Sequence, residues 1–316
     1  MVYFTFFDTV SYVYSYANDS QEDFQARCDG VSEILGKYHK LFDIYYEHTG
    51  VTNLRTINQN AGGEPLEVDR ELIDFLLYAK ELYEKTNGEM NIMMGSVLKL
   101  WHDCRTAATS DPSNATIPAK EELDAANLHT AMSALEIDAE NNTVRISDPK
   151  ASIDVGALGK GYATEMAAQY LYDIGAESYV LNVGGNIRII GHKPDGSGWA
   201  TGIKNPANPE QYAMRVTIAD ISCVTSGNYE RYFTVNGKKY HHVIDKDTLM
   251  PSEYFASVTI FTPDSGLADA LSTALFSMSY EDGLALVSEL GNVEVLWITS
   301  DGTQYYTDGI EKMIIK

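Results

Sequence analysis

Between Asp154 and Gly161 the chain reads D-V-G-A-L-G-K-G and runs directly into Y-A-T-E-M-A-A-Q-Y-L. Glycines this dense break a regular element, while the run that follows has helical character, so the segment reads as a tight turn opening a helix. Backbone N–H groups at such a helix start attract phosphate, and Lys160 adds a point charge. It is not a P-loop: the G-x-x-x-x-G-K-[ST] spacing fails, and Gly161 stands where a magnesium-binding hydroxyl would be. Taken alone, the segment reads first as a strand-to-helix turn without a ligand.

The chain around this turn is long enough, at 316 residues, for a buried core in one large domain or two packed lobes. Its hydrophobic share of 44% and charged share of 22% are those of a globular protein. The net charge of -22 repels a phosphate backbone, so nucleic acid is excluded as a partner. An anionic ligand would have to be held locally, by a lysine, backbone amides or a bound cation. Cys28, Cys104 and Cys223 lie far apart and form neither a disulfide framework nor a zinc knuckle. No run of 18 or more apolar residues exists, so no membrane-spanning helix is expected. Met1 to Tyr14 is aromatic-rich and partly alternating, as a strand is, and lacks the basic start of a signal peptide.

Residues Glu22 to Tyr46 carry apolar side chains at helical spacing, as do Glu67 to Thr86, which end near Gly88. Asn53 to Gly63 is turn-rich and reads as a loop. His102 to Asn127, polar and rich in small residues, is the candidate mobile segment. Short strands around an Asn141-Asn142 turn follow from Leu135 to Ile153. Helix, strand and hairpin then alternate to the end, which makes the class mixed α+β.

Three further blocks have chemical content. L-N-V-G-G-N-I-R-I-I, Leu181 to Ile190, places two glycines in a strand pattern, as at a bulge or a close ligand approach, with Asn182 and Asn186 beside them. T-S-G-N-Y-E-R, Thr225 to Arg231, precedes an Asn236-Gly237 hairpin signal and K-K-Y-H-H-V-I-D. That hairpin is expected to fold Ser226, Glu230 and Arg231 toward His241, His242 and Asp245. Successive strand residues face opposite ways, so only one histidine would face a site, where it could take a proton from a hydroxyl. A-D-A-L-S-T-A-L-F, Ala268 to Phe276, reads as a helix capped by Asp264 and Ser265, with Asp269 and Thr273 on one face. A carboxylate and a hydroxyl, with a carbonyl from elsewhere, suit magnesium or calcium; the alternative is an amphipathic helix with two polar residues in water. D-G-S-G-W-A-T, Asp195 to Thr201, reads as a hairpin turn with Trp199 packed on the following strand.

In this order and spacing the blocks resemble the FAD:protein FMN transferase family, the ApbE-type flavin transferases. The resemblance starts at F-F-D-T, Phe6 to Thr9, and takes in G-E-M-N-I-M-M-G-S-V-L-K-L-W, Gly88 to Trp101. It continues through D-V-G-A-L-G-K-G, N-V-G-G-N, T-S-G-N-Y-E-R, H-H-V-I-D and A-D-A-L-S-T-A, nearly the whole chain. It implies a T-fold-like architecture of helices and antiparallel sheets, with FAD in a cleft between two parts of a single flavin transferase domain. It implies magnesium on the Ala157 carbonyl and the Asp269 and Thr273 side chains, with Lys160 and His242 in catalysis. Contacts to FAD would come from Phe7, Asp8, Thr9, Asn91 and Lys160. Asn182, Gly184, Ser226, Arg231, His242 and Ile244 would complete them. The implied reaction moves FMN from FAD to a threonine of an acceptor protein and releases AMP. The acceptor would be a subunit of a membrane redox-driven ion pump or a related electron-transfer protein, and the enzyme extracytoplasmic and membrane-associated in full length.

The chain departs from that pattern in places. Asn91 stands where the family usually has aspartate, and D-K-D-T-L-M-P, Asp245 to Pro251, replaces D-P-x-T-G-x-P. Lys246 and Leu249 thus stand for a proline and a glycine, and His241 is an added histidine. The heptapeptide at Asp195 matches the family's acceptor motif only at its ends. The same residues would also serve a hydrolase giving FMN and AMP, or a protein that only binds FAD.

Overall fold

The computed structural model describes residues 1–315, apart from the Tyr3 side chain. In chain order the helices are α1 (Gln21–Phe42), α2 (Leu54–Gln59), α3 (Arg70–Lys85), α4 (Gly95–Ser110), α5 (Lys120–Asn127), α6 (Gly159–Asp173), α7 (Ser265–Ala274) and α8 (Tyr280–Leu290). The first strands are β1 (Val2–Phe6), β2 (Thr9–Ser15), β3 (Leu66–Glu67), β4 (Leu135–Asp138), β5 (Thr143–Ile146), β6 (Tyr179–Val183) and β7 (Asn186–Ile190). After them come β8 (Trp199–Asn205), β9 (Asn208–Ile218), β10 (Ser222–Gly227), β11 (Tyr232–Val235), β12 (Lys238–His241), β13 (Ser257–Thr262), β14 (Glu294–Ile298) and β15 (Gln304–Tyr306). The class is mixed α+β with antiparallel sheets, as expected.

The chain folds into two compact units. One comprises Met1–His39, Leu158–Gly227 and Tyr254–Lys316; the other comprises Lys40–Ala157 and Asn228–Glu253.

The first unit is built on an eight-stranded sheet in the order β1-β2-β6-β7-β10-β13-β14-β15. Every residue of β13, S-V-T-I-F-T, is buried. A strand covered on both faces needs no polar alternation, and the hydroxyls of this one are absorbed locally, as where Thr259 meets Thr225 at 2.9 Å. On one face Phe261, Cys223 and Ile189 pack with Trp199, Ile203 and Val216 of the β8–β9 ribbon. The opposite face carries α7, which Ser226 reaches. Each apolar residue buried this completely contributes about 1.5–3 kcal/mol.

The second unit holds the small sheet β3-β5-β4, the β11–β12 hairpin and helices α2 to α5. Met94, Val97, Trp101, Phe233, Ile244 and Leu249 form its core beside the hairpin. The Asn236-Gly237 turn has φ of 50° and 79°, the type of two-residue turn that matches strand twist.

Three local expectations change. Asn53–Gly63 contains α2, because the Asn53 side chain caps it by accepting from Thr56 N at 3.1 Å while Leu54 and Ile57 are buried one turn apart. N-V-G-G-N is not a bulge: Gly184 and Gly185, at φ 57° and 96°, are the two-residue turn joining β6 to β7. Trp199 starts β8, which pairs with β9 and not with the strand before it.

Candidate active site

In the first unit, helix α6 is preceded at its cap position by Leu158, a residue with no capping side chain. Its early amides therefore need partners from elsewhere. One partner is Asp269, buried on α7, whose Oδ2 accepts from Gly161 N at 2.8 Å. The same oxygen accepts from Asn186 Nδ2 at 3.3 Å and lies 3.7 Å from Lys160 Nζ. A side chain on Gly161 would run into Asp269 Cβ and the Ser265 carbonyl, so only glycine lets the two helices meet here. The carboxylate also sits at the positive end of the α6 dipole. Helix α7 is fixed separately by its cap, Asp264 Oδ1, which accepts from Gly266 N at 2.7 Å and Leu267 N at 3.1 Å.

Thr273 follows Asp269 by one turn and is half-buried. Ser272 donates to the Asp269 carbonyl at 2.8 Å and meets Ser226 Oγ at 2.8 Å, which ties β10 to this helix. Ser226 thus belongs to the large sheet, paired with Val258, and not to the Asn-Gly hairpin as expected. The reason is that β10 ends at Gly227 before the chain leaves this unit.

On α7 the Asp269 carboxylate and the Thr273 hydroxyl are both oxygen donors, the type that suits a hard divalent cation. Among the described residues no cluster of three or more His, Cys, Asp or Glu side chains could hold a metal. Asp269 Oδ2 is the oxygen engaged by the Gly161 and Asn186 N–H groups and by Lys160.

The same unit brings together two blocks far apart in sequence. Phe7 and Asp8, at φ 55° and 53°, form the tight turn between β1 and β2. Phe7 N donates to His39 Nδ1 at 3.3 Å. Thr9 starts β2 and fills the space beside Gly184, where a Cβ would sit 2.5 Å from Thr9 Cγ2. Asn182 Oδ1 accepts from Gly185 N at 2.9 Å and holds the glycine turn.

In the second unit, Asn91 donates to the Thr130 carbonyl at 3.0 Å and accepts from Met93 N at 2.9 Å. An aspartate here would have no N–H for Thr130. His241 ends β12 with both ring nitrogens engaged: Nε2 lies 2.8 Å from the Ser252 carbonyl, and Val243 N donates to Nδ1 at 3.3 Å. That pattern fixes a neutral ring protonated at Nε2, and burial lowers its pKa. His242 lies just past the strand and is half-buried. The alternation argument therefore spans the strand end; what separates the histidines is that His241 is committed to the backbone.

Ile244 bridges to Pro251 across the D-K-D-T-L-M-P turn, whose Asp245 Oδ1 accepts from Asp247 N and Thr248 N at 2.8 and 2.9 Å. Leu249 has φ 59°, the conformation of the glycine it replaces, and its carbonyl accepts from Trp101 Nε1 at 2.9 Å. Lys246, in place of proline, pairs with Glu89 at 3.2 Å. Arg231 is exposed. Its charge, after burial itself, lowers the pKa of Arg105, a helix α4 residue that donates to His102 Nδ1 at 2.9 Å.

The ApbE family profile matches residues 8–297. The chain belongs to the ApbE family. It is 35% identical over 259 residues to the FAD:protein FMN transferase of Treponema pallidum, covering 78% of this chain and 71% of that protein. Its identity to the Vibrio cholerae FAD:protein FMN transferase is 31% over 259 residues, covering 81% of this chain and 75% of that protein. Its fold matches the crystal structure of the Thermotoga maritima ApbE protein with a TM-score of 0.86 at 27% identity, over 100% and 99% of the two chains.

The structure brings Lys160, Asp269, Thr273 and Ser226 to one helix pair, and sets Thr9 against Gly184. It also shows two residues that motif reading passed over. Glu165 and Arg188 are buried at 8% and 4% exposure and lie 3.2 Å apart. The signal was present in the sequence as a carboxylate in the apolar run Y-A-T-E-M-A-A and an arginine inside a strand.

Proposed function

We propose that this ApbE-family transferase moves FMN from FAD to a threonine hydroxyl of an acceptor protein and releases AMP. The observation that carries the proposal is the Asp269 carboxylate, held against the start of α6 by Gly161 and Lys160 with Thr273 one turn away. The names borne by the Treponema and Vibrio relatives support transfer of FMN from FAD to a protein.

In this reading Asp269 Oδ1, the Thr273 hydroxyl and the Ala157 carbonyl hold magnesium, which when bound polarises the pyrophosphate and offsets charge on the departing AMP. Lys160 and the α6 amides neutralise the phosphate that stays with FMN. His242 takes the proton of the threonine hydroxyl as its oxygen bonds to the FMN phosphorus and the bond to AMP breaks. Phe7, Asp8, Thr9, Asn91, Asn182, Gly184, Ser226, Arg231 and Ile244 are assigned to FAD. The acceptor is assigned to a subunit of a membrane redox-driven ion pump or a related electron-transfer protein, with the enzyme acting outside the cytoplasm. Among the described residues no helix is long and apolar enough to cross a membrane.

The test is incubation with FAD, magnesium and a threonine-bearing acceptor domain, followed by intact mass. The acceptor should gain one FMN, and should gain none in a chelator or with Asp269→Asn. Release of free FMN and AMP without a mass gain would make the protein a hydrolase. Bound, unchanged FAD would make it a carrier.

A further inference from the structure

Helices α6 and α7 make the same contact twice, once in each direction. In α6 the Gly161 amide and the Glu165 carboxylate are one turn apart, and in α7 the Ser265 amide and the Asp269 carboxylate are one turn apart. Gly161 N donates to Asp269 Oδ2 at 2.8 Å, and Ser265 N donates to Glu165 Oε2 at 3.0 Å. Each helix thus caps the other.

The second bond completes the cap of α7. Asp264 already takes the Gly266 and Leu267 amides, and Ser265 N is the early amide its side chain does not take. Glu165 is also expensively equipped for a capping group. Gln169 Nε2 donates to its Oε1 at 2.7 Å, and Arg188 Nε lies 3.2 Å from its Oε2. Arg188 is itself pinned by the Ile189 carbonyl at 2.7 Å and lies over the Tyr172 ring. A buried ion pair adds little net stability, and the role assigned to this one is to hold the Glu165 carboxylate in place. Ser272 ties α7 to β10, and the two contacts a turn apart tie it to α6 at both Ser265 and Asp269, which together oppose rolling about its axis. With Ser265 held by Glu165 and Asp269 held by Gly161, the direction of Asp269 Oδ1 and of Thr273 follows.

We propose that Glu165, immobilised by Arg188, is a positioning residue that sets the roll of α7 and so aims Asp269 Oδ1 and the Thr273 hydroxyl at a shared cation. This rests on Asp269 and Thr273 being cation ligands. Groups that orient metal ligands typically change affinity 10–100-fold when removed.

The experiment titrates Mn²⁺, followed by electron paramagnetic resonance, into the full chain and four variants, with circular dichroism and Tm recorded for each. Glu165→Ala should weaken Mn²⁺ about tenfold or more and raise the magnesium needed for half-maximal turnover by the same factor, with kcat at saturating magnesium retained. Glu165→Gln should restore most of the affinity, because its amide oxygen still accepts from Ser265 N. Ser265→Pro removes the amide donor together with the buried hydroxyl, at the helix position where proline is favoured, and should reproduce the loss with both carboxylates in place. If Glu165→Ala does not fold, Ser265→Pro decides. Folded Glu165→Ala and Ser265→Pro proteins with wild-type Mn²⁺ affinity, beside an Asp269→Asn protein that has lost it, would overturn the proposal alone. Wild-type affinity in Asp269→Asn would overturn the ligand reading and the proposal with it.

Discussion

Asp269 and Gly161 lie 108 positions apart and share a hydrogen bond of 2.8 Å that joins the start of α6 to the middle of α7. The bond makes one carboxylate serve as helix cap and as proposed cation ligand. Asp269→Asn separates the two roles. The amide oxygen keeps an acceptor for Gly161 N, so Tm should stay near the wild-type value, while turnover and its magnesium response are lost. A folded Asp269→Asn protein with a normal magnesium response would place the cation elsewhere.

Gly161→Ala should disrupt the same contact from the other side. The new methyl group meets Asp269 Cβ and the Ser265 backbone, which are not flexible side-chain ends. Overpacking of this kind costs about 1–3 kcal/mol. The gain in helix propensity returns about 1 kcal/mol, so the net effect should be destabilisation. Thermal unfolding gives the first number and Mn²⁺ titration should show weaker binding. A more stable Gly161→Ala protein would mean that α6 and α7 can separate freely.

The two histidines should behave differently. His242→Ala should slow single-turnover FMN transfer about a hundredfold or more, the range for one proton-transfer group, and leave the FAD dissociation constant within a few-fold. His241→Ala should instead lower stability, because it leaves the Ser252 carbonyl and the Val243 amide without their ring partner. Slow transfer in the His241 variant alone would show that the base is the other residue.

The His241 environment also gives a pH dependence. Burial holds its folded pKa below the ordinary 6.5. Above that value the ring is neutral in both states and contributes no slope. Below it the unfolded chain binds a proton that the folded chain does not, so stability falls as pH drops through about 6.5 toward the folded pKa. His102, also lowered by burial and then by Arg105, acts in the same sense. Urea unfolding from pH 7.5 to 5.5 should show a shallower decline for His241→Gln than for wild type; parallel curves would contradict this.

Leu249 carries a different conflict. It is 5% exposed, in the core with Trp101 and Val97, yet holds the left-handed φ of 59°. Leu249→Ala should cost about 2–5 kcal/mol for the lost burial. Leu249→Gly loses slightly more burial but relieves about 1–2 kcal/mol of backbone strain. The glycine variant should therefore be the more stable of the two, the reverse of the order in a helix. An alanine variant more stable than the glycine one would show that the strain is negligible.

Much of the local structure was readable along the chain. The Asn236-Gly237 hairpin, the helix opened at Gly159 and the α7 cap at Asp264 follow from turn and capping chemistry within a few residues. The membership of the family was readable too, because it rests on the order of short blocks. Other features depended on distant partners. The glycines at 184 and 185 looked like a bulge because a two-residue turn and a bulge have the same local signature; pairing of β6 with β7 decides between them. Ser226 seemed tied to the hairpin that follows it, and only its register with Val258 and its contact with Ser272 assign it to the large sheet. The residue types Asp269, Thr273 and Lys160 were fixed by sequence. That Gly161 must lack a side chain, that His241 is used up by the backbone, and that Glu165 and Asp269 cap each other's helices are matters of contact between segments about a hundred residues apart or of ring geometry. A hydrogen bond depends on position in space, which a linear pattern does not encode, so those relations were settled by the tertiary structure alone.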